Sequence, residues 1–295
     1  MWRRGSRVAH EFAWREGAIR VLLGWLVAGL LFATGVGAQE GRGGSLEAIL
    51  AAGRLRVGLT GDYRPFSYRD PQTEVFSGID VDMAQALAGS MGVKLEIVPT
   101  AWGALMGDLQ AGRFDIGMGG ITITLARLKT AWFSSPVMVA GKTPIALCSN
   151  KEKFQTIAQI DRPGVTVLVN PGGTNESFDR ATFHAATIEV FADNAGIFGE
   201  LARGHGDLMI TDGVETRLQA KLHPELCAIH PEEPFTRSEL GYLLPRDGVT
   251  PLGWTVQAAV LATWRACCSS NCTGLRSQSS PHFGNGENSV ELVCL

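Results

Sequence analysis

From Gly53 onward, short β-branched and aliphatic runs alternate with segments whose apolar positions recur at helical spacing. That alternation is the pattern of strand–helix–strand units around a mostly parallel sheet. Arg54 to Thr60 (RLRVGLT) reads as a strand, 80–91 (DVDMAQALAGSM) as a helix, 94–99 (KLEIVP) as a strand, 102–111 as a helix and 114–118 as a strand. The order then returns, with VTVLVN at 165–170, a helix from Thr174, TIEVF at 187–191, a helix over 195–203 and DLMIT at 207–211. Leu-x-x-Gly-x-x-Asp occurs at Leu109, Gly112 and Asp115 and again at Leu201, Gly204 and Asp207, so the second half is built like the first. Lys142 to Cys148 and Glu239 to Leu244 are expected to join two lobes as hinge strands, with a ligand cleft between them. The expected boundaries are 39–142 for the first lobe, 143–238 for the second and 239–247 for the return strand.

The ends of the chain differ from this body. Arg3, Arg4, Arg7, Arg15 and Arg20 precede an uncharged run over 21–38 that ends in Val36-Gly37-Ala38, which predicts a signal peptide over 1–38 and export to the periplasm. A run at the lower edge of spanning length also fits an uncleaved anchor. After cleavage no membrane contact is expected. Residues 248–295 form an atypical C-terminal tail: from Ser269 it is rich in Ser, Asn, Gly and Cys without periodicity, as a reading-frame change near residue 248 would produce.

Composition narrows the function. With 295 residues, 45% of them hydrophobic, the chain can bury two small cores. A net charge of −3 and no basic cluster in the body argue against a nucleic-acid partner. The histidines are scattered, no acid, His or Cys group has metal spacing, and no phosphate-binding or nucleophile motif is present, so neither cofactor nor metal is expected. In an oxidising compartment Cys148 and Cys227 are expected to pair, whereas Cys267, Cys268, Cys272 and Cys294 crowd the tail.

In parallel sheets ligands gather at the carboxyl ends of strands. Those positions here hold Asp62-Tyr63, Trp102, Gly120-Ile121-Thr122, Gly172 to Glu176 and Asp212. Gly172-Gly173-Thr174, between a strand and a helix, suits backbone approach to an anion or a plain turn capped by Thr174. Arg127 follows a small-residue turn, from which it could grip a carboxylate or simply lie solvated on its helix. Tyr63 and Trp102 fit a pocket wall or the edge of a core. Glu176 could be an ionised acid favoured by the helix dipole, and Asp212 a helix N-cap.

Gly58 to Tyr68 (GLTGDYRPFSY), Gly78 to Met83 (GIDVDM), Gly112 to Arg127 and Thr211-Asp212 resemble the family 3 solute-binding proteins, which deliver polar amino acids to transporters. The resemblance covers most of 53–247 and implies an α/β, two-lobed fold of the periplasmic-binding-protein type. It implies that Arg127 and Thr122 hold a ligand carboxylate, that Asp212 accepts an amino group, and that aromatic residues near Tyr63 and Trp102 cover the side chain. Gly141 to Ile145 (GKTPI), Asn170 to Glu176 (NPGGTNE), Leu208 to Glu215 (LMITDGVE) and Arg217 to His230 are similar to the cyclohexadienyl dehydratases, enzymes on the same fold. These convert prephenate to phenylpyruvate, or arogenate to phenylalanine, with loss of water and carbon dioxide.

This second likeness implies a lyase with Glu176 as general acid, Lys142 as a further cation, and Gly173, Thr174 and Asn175 at the ligand turn. A leaving hydroxyl needs an acid protonated near neutral pH, whereas a helix N-terminus lowers a carboxyl pKa, so burial at Glu176 must outweigh the dipole. The other function the resemblance allows is a non-catalytic amino-acid-binding protein with a transporter permease as partner.

Overall fold

The computed structural model describes residues 45–246 and Val256. The expected signal peptide and the four tail cysteines lie outside the described residues, as does the expected tail apart from Val256. Among the described residues no helix is long and apolar enough to cross a membrane.

Two five-stranded sheets organise the chain, one in each lobe. The first runs in the order Lys94–Pro99, Arg54–Leu59, Ile116–Gly117, Leu243–Pro245, Ala131–Phe133; the first three strands are parallel, and Leu243–Pro245 joins them antiparallel. Val57 and Leu59 pack against Met83, Ala84, Leu87 and Ala88, the apolar face of helix Ile79–Ser90. Tyr242, Leu244 and Val256 are buried in the same core, so one residue of the expected tail belongs to the first lobe. Leu105, Leu109, Phe114, Ile121 and Leu243 form a second cluster of this lobe. Gly58 makes room for it, since a Cβ there would meet the Phe114 ring at 2.6 Å.

The second sheet has the order Thr187–Val190, Thr166–Val169, Leu208–Asp212, Lys142–Leu147, Leu226–Ala228. Alternate residues of its strands feed opposite faces, as strand geometry requires: Leu208 and Ile210 join Ile160, Val167 and Phe183, while Met209 joins Ile145, Leu168 and Phe198. Lys142–Leu147, expected as a hinge strand, is an interior strand of this sheet, antiparallel to both neighbours. Just before it Met138–Ala140 pairs antiparallel with Ser238–Leu240, which overlaps the start of the expected return strand. Cys148 and Cys227 form a disulfide just beyond the Lys142–Leu147 strand, with Cα atoms 4.8 Å apart.

Candidate functional site

The first lobe contributes an aromatic wall and a glycine turn. Tyr63 packs against Phe66 and Trp102, with ring centroids 5.0 and 5.9 Å away, and the Trp102 indole donates to Asp62 Oδ1 at 3.0 Å. Burial raises the Asp62 carboxyl above its ordinary pKa. Gly120 (φ +72°) sits against these rings, where a Cβ would come within 2.6 Å of Phe66 and Tyr63. Only glycine permits that approach in the left-handed region. Thr124 caps the short helix Leu125–Leu128, which carries Arg127 back toward the turn. Arg127 is 9% exposed, donates from Nη1 to the Thr122 carbonyl at 2.7 Å, and forms no ion pair among the described residues. Desolvation lowers its pKa to about 10, which leaves it cationic at neutral pH. It approaches the cleft through Thr122 and is not on the cavity wall.

The second lobe contributes a polar network. Lys142 Nζ donates to Asn175 Oδ1 at 2.6 Å and to Asp212 Oδ1 at 3.0 Å. Asn175 Nδ2 donates to Asn170 Oδ1 and Thr211 Oγ1, each at 3.2 Å, and Thr211 Oγ1 donates to Glu215 Oε2 at 2.7 Å. Asp212 occupies the N-cap position of helix Gly213–Leu222 but makes no capping bond, because its carboxylate is turned to Lys142 and Tyr63. Gly173 is the N-cap of helix Thr174–Thr182; Thr174, expected in that place, is its first residue and sets its hydroxyl 3.4 Å from that of Thr122.

The lobes meet across the cleft. Tyr63 Oη donates to Asp212 Oδ2 at 2.6 Å and Asn194 Nδ2 to the Asp62 carbonyl at 3.0 Å. Gly172 (φ +78°) lies so close to Gly103 that a Cβ would stand 2.6 Å from its Cα. About 300 Å³ of space, part of it open to solvent, remains between Tyr63, Trp102, Gly120 and Thr122 on one side and Lys142, Asn175, Asp212 and Glu215 on the other.

Two glutamates divide sharply here. Glu176 is off the cavity wall: Oε2 accepts from the Gly172 amide at 2.6 Å and Oε1 from Arg180 Nε at 2.8 Å. The Gly172 amide first, and then Arg180, hold its carboxyl below the usual pKa, so the helix start outweighs burial and Glu176 is ionised. That is the opposite of what its expected role as a proton donor requires. Glu215 is 1% exposed, lines the cavity, and its Oε1 has no hydrogen-bond partner among the described residues. Desolvation foremost, then the charges of Asp212 and Asp62, push its pKa well above the carboxylate range, against the Thr211 bond and Lys142. Burial thus favours the neutral acid at Glu215, and with Oε2 accepting from Thr211 the carboxyl oxygen left without a hydrogen-bond partner among the described residues is Oε1.

Sequence reasoning had assigned no site role to Glu215, Asn170 or Asn194, and had noted Thr211 only as a strand-end residue beside Asp212. The available signal was spacing, since Glu215 follows Asp212 by three residues and so lies about one turn along the same helix face.

The family profile described as bacterial extracellular solute-binding proteins, family 3, matches residues 55–226. The chain is 55% identical over 218 residues to "Cyclohexadienyl dehydratase" of Pseudomonas aeruginosa, covering 74% of this chain and 80% of that protein. It is 28% identical over 201 residues to "L-cystine-binding protein TcyJ" of Escherichia coli K12, covering 68% and 74% respectively. Among solved structures it superposes with a TM-score of 0.69 and 36% identity on the ancestral amino acid-binding protein AncCDT-1, a precursor of cyclohexadienyl dehydratase, over 75% of this chain and 93% of that one. With two sheets, paired crossings and a cleft at the strand ends, and with the profile matching more than half its length, this chain belongs to the family 3 bacterial extracellular solute-binding proteins.

Proposed function

We propose that the protein is a periplasmic cyclohexadienyl dehydratase, exported by its N-terminal segment, that converts prephenate to phenylpyruvate with Glu215 as general acid. The observation that carries this reading is the buried Oε1 of Glu215, without a hydrogen-bond partner among the described residues, on a cavity that Lys142 also lines, with the desolvated Arg127 behind Thr122. Prephenate has two carboxylates and a ring hydroxyl, and these groups match two cations and one acid. The 55% identity to the Pseudomonas enzyme supports the same activity.

In the reaction the Glu215 proton passes to the departing ring hydroxyl, which leaves as water. The bond from the ring to its carboxylate breaks, its electron pair enters the ring, and carbon dioxide departs. The ring becomes aromatic, and the Glu215 carboxylate regains a proton from solvent. Aromatisation supplies the driving force, so the cleft has only to hold the substrate, deliver one proton and exclude water from the ring carboxylate.

The Lys142–Asp212 pair argues against an amino-acid receptor. Asp212 would have to accept an ammonium group in that reading, yet Lys142 and the Tyr63 hydroxyl already occupy both of its oxygens. An incoming ammonium meets the Lys142 cation, so a keto acid is the better ligand and arogenate the poorer substrate. The test is incubation with prephenate, followed by the absorbance of phenylpyruvate. Turnover supports the reading; a protein that leaves prephenate intact and binds arginine or cystine tightly overturns it.

A further inference from the structure

Asp80 is a buried acid that this chemistry does not use. It lies in the first turn of helix Ile79–Ser90 and is 2% exposed. Its Oδ2 accepts from the amides of both Gly119 and Gly120, each at 2.9 Å, and its Oδ1 accepts from Tyr242 Oη at 2.8 Å. Gly119 and Gly120 have φ of +104° and +72°, a conformation in which both amides reach one oxygen. They open the turn that presents Thr122 to the cavity and, through the Thr122 carbonyl, engages Arg127.

The far half of that turn is fixed to the return crossing. Gly241 N donates to the Ile121 carbonyl at 2.9 Å, Ile123 N to the Glu239 carbonyl at 2.8 Å, and Thr122 bridges to Leu240. Tyr242 continues the same crossing, and its amide donates to Ser134 Oγ at 3.0 Å. One carboxylate thus joins the near half of the turn to the strand that already holds the far half. All three of its donors are neutral, and it forms no ion pair among the described residues.

We infer that Asp80 is a positioning residue that ties the carboxylate-binding turn to the return crossing, so that hinge movement and ligand capture proceed as one motion. Without it, two buried amides lose their acceptor and the turn is held from one side only. The turn binds ground state and transition state alike, so the loss appears in KM more than in kcat.

Three variants test this. In Asp80→Ala, exchange of the Gly119 and Gly120 amide hydrogens in the ligand-free protein should quicken by about tenfold or more. Asp80→Asn should exchange near the wild-type rate, because its oxygen still accepts from the amides while its nitrogen donates to Tyr242 Oη. With prephenate, an arm that rests on the dehydratase reading, Asp80→Ala should raise KM about tenfold and change kcat about threefold at most. Tyr242→Phe should raise KM by a smaller factor, and it decides the matter if Asp80→Ala does not fold. Unchanged amide exchange in Asp80→Ala, a loss confined to kcat, or Tyr242→Phe indistinguishable from wild type in both KM and exchange would overturn the proposal. If the wild type does not turn over prephenate, the dehydratase reading fails, and the exchange comparison still decides the role of Asp80.

Discussion

Thr211 donates its hydroxyl hydrogen to Glu215, Oγ1 to Oε2 at 2.7 Å, and the other carboxyl oxygen of Glu215 is buried without a hydrogen-bond partner among the described residues. This bond is the main influence that lowers the Glu215 pKa against a larger desolvation effect. A general acid works while protonated, so activity should hold above the ordinary glutamate range and fall as pH rises through the raised pKa. Replacing Thr211 with Val removes the lowering influence, so the alkaline limb should move to higher pH. The pH dependence of kcat/KM for wild type and Thr211→Val tests this. An activity that already falls near pH 4.3, the ordinary glutamate range, would contradict it.

Lys142 and Asp212 are both almost fully buried, and neither charge has bulk water to fall back on. Lys142→Met should weaken prephenate binding by about thirtyfold or more, the cost of breaking a buried hydrogen-bonded charge pair. It also frees Asp212 for an ammonium group, so the ratio of KM for arogenate to KM for prephenate should fall. Steady-state kinetics on both substrates measures that ratio, and a ratio that rises or stays put removes Lys142 from substrate discrimination.

Asp179 lies on the buried face of helix Thr174–Thr182, is 0% exposed, and neither carboxyl oxygen has a hydrogen-bond partner among the described residues. Desolvation raises its pKa to about 8. A folded-state pKa above the unfolded value means that stability is fully present below about pH 4 and is lost as pH rises toward 8. Asp179→Asn should therefore raise the thermal midpoint, by a few degrees or more near pH 8 and by less near pH 5. Calorimetric scans at the two pH values check it; an advantage that is equal at both, or absent, would be inconsistent with a buried titrating acid.

The repeated architecture was legible because each strand announces itself over a few residues. RLRVGL, KLEIVP and DLMIT became strands within about a residue of the expected bounds: Leu208–Asp212 is buried throughout, whereas the edge strand Lys94–Pro99 alternates exposed and half-buried positions over most of its length. Aliphatic character also hid the crossing. Lys142 to Leu147 reads as apolar whether it spans a hinge or lies inside a sheet, and only its pairing with Leu208–Asp212 and Leu226–Ala228 decides.

Glu215 went unread as an acid for a related reason. Glu176 and Glu215 each stand in the third position of a helix that follows a strand, so local sequence makes them equivalent. What separates them is cover. Arg180, one turn on, pairs with Glu176, whereas Glu215 is enclosed by Thr211 and Asp212 and feels the charge of Asp62 from the other lobe. The arginine could have been read from the sequence; the contribution of Asp62, more than 150 residues away, could not.

Turnover of prephenate by Glu215→Gln and Glu176→Gln, measured side by side, tests the central assignment most directly. Glutamine keeps the size of the side chain and much of its hydrogen bonding but has no acidic proton. Glu215→Gln should lower kcat by about a hundredfold to ten-thousandfold with substrate affinity largely retained, the range expected for loss of a general acid. Glu176→Gln should stay within about threefold of wild type, because an already ionised carboxylate donates no proton. A Glu215→Gln variant with near-wild-type turnover beside an inactive Glu176→Gln would contradict the assignment and return the acid to the half-buried Glu176 at the helix start.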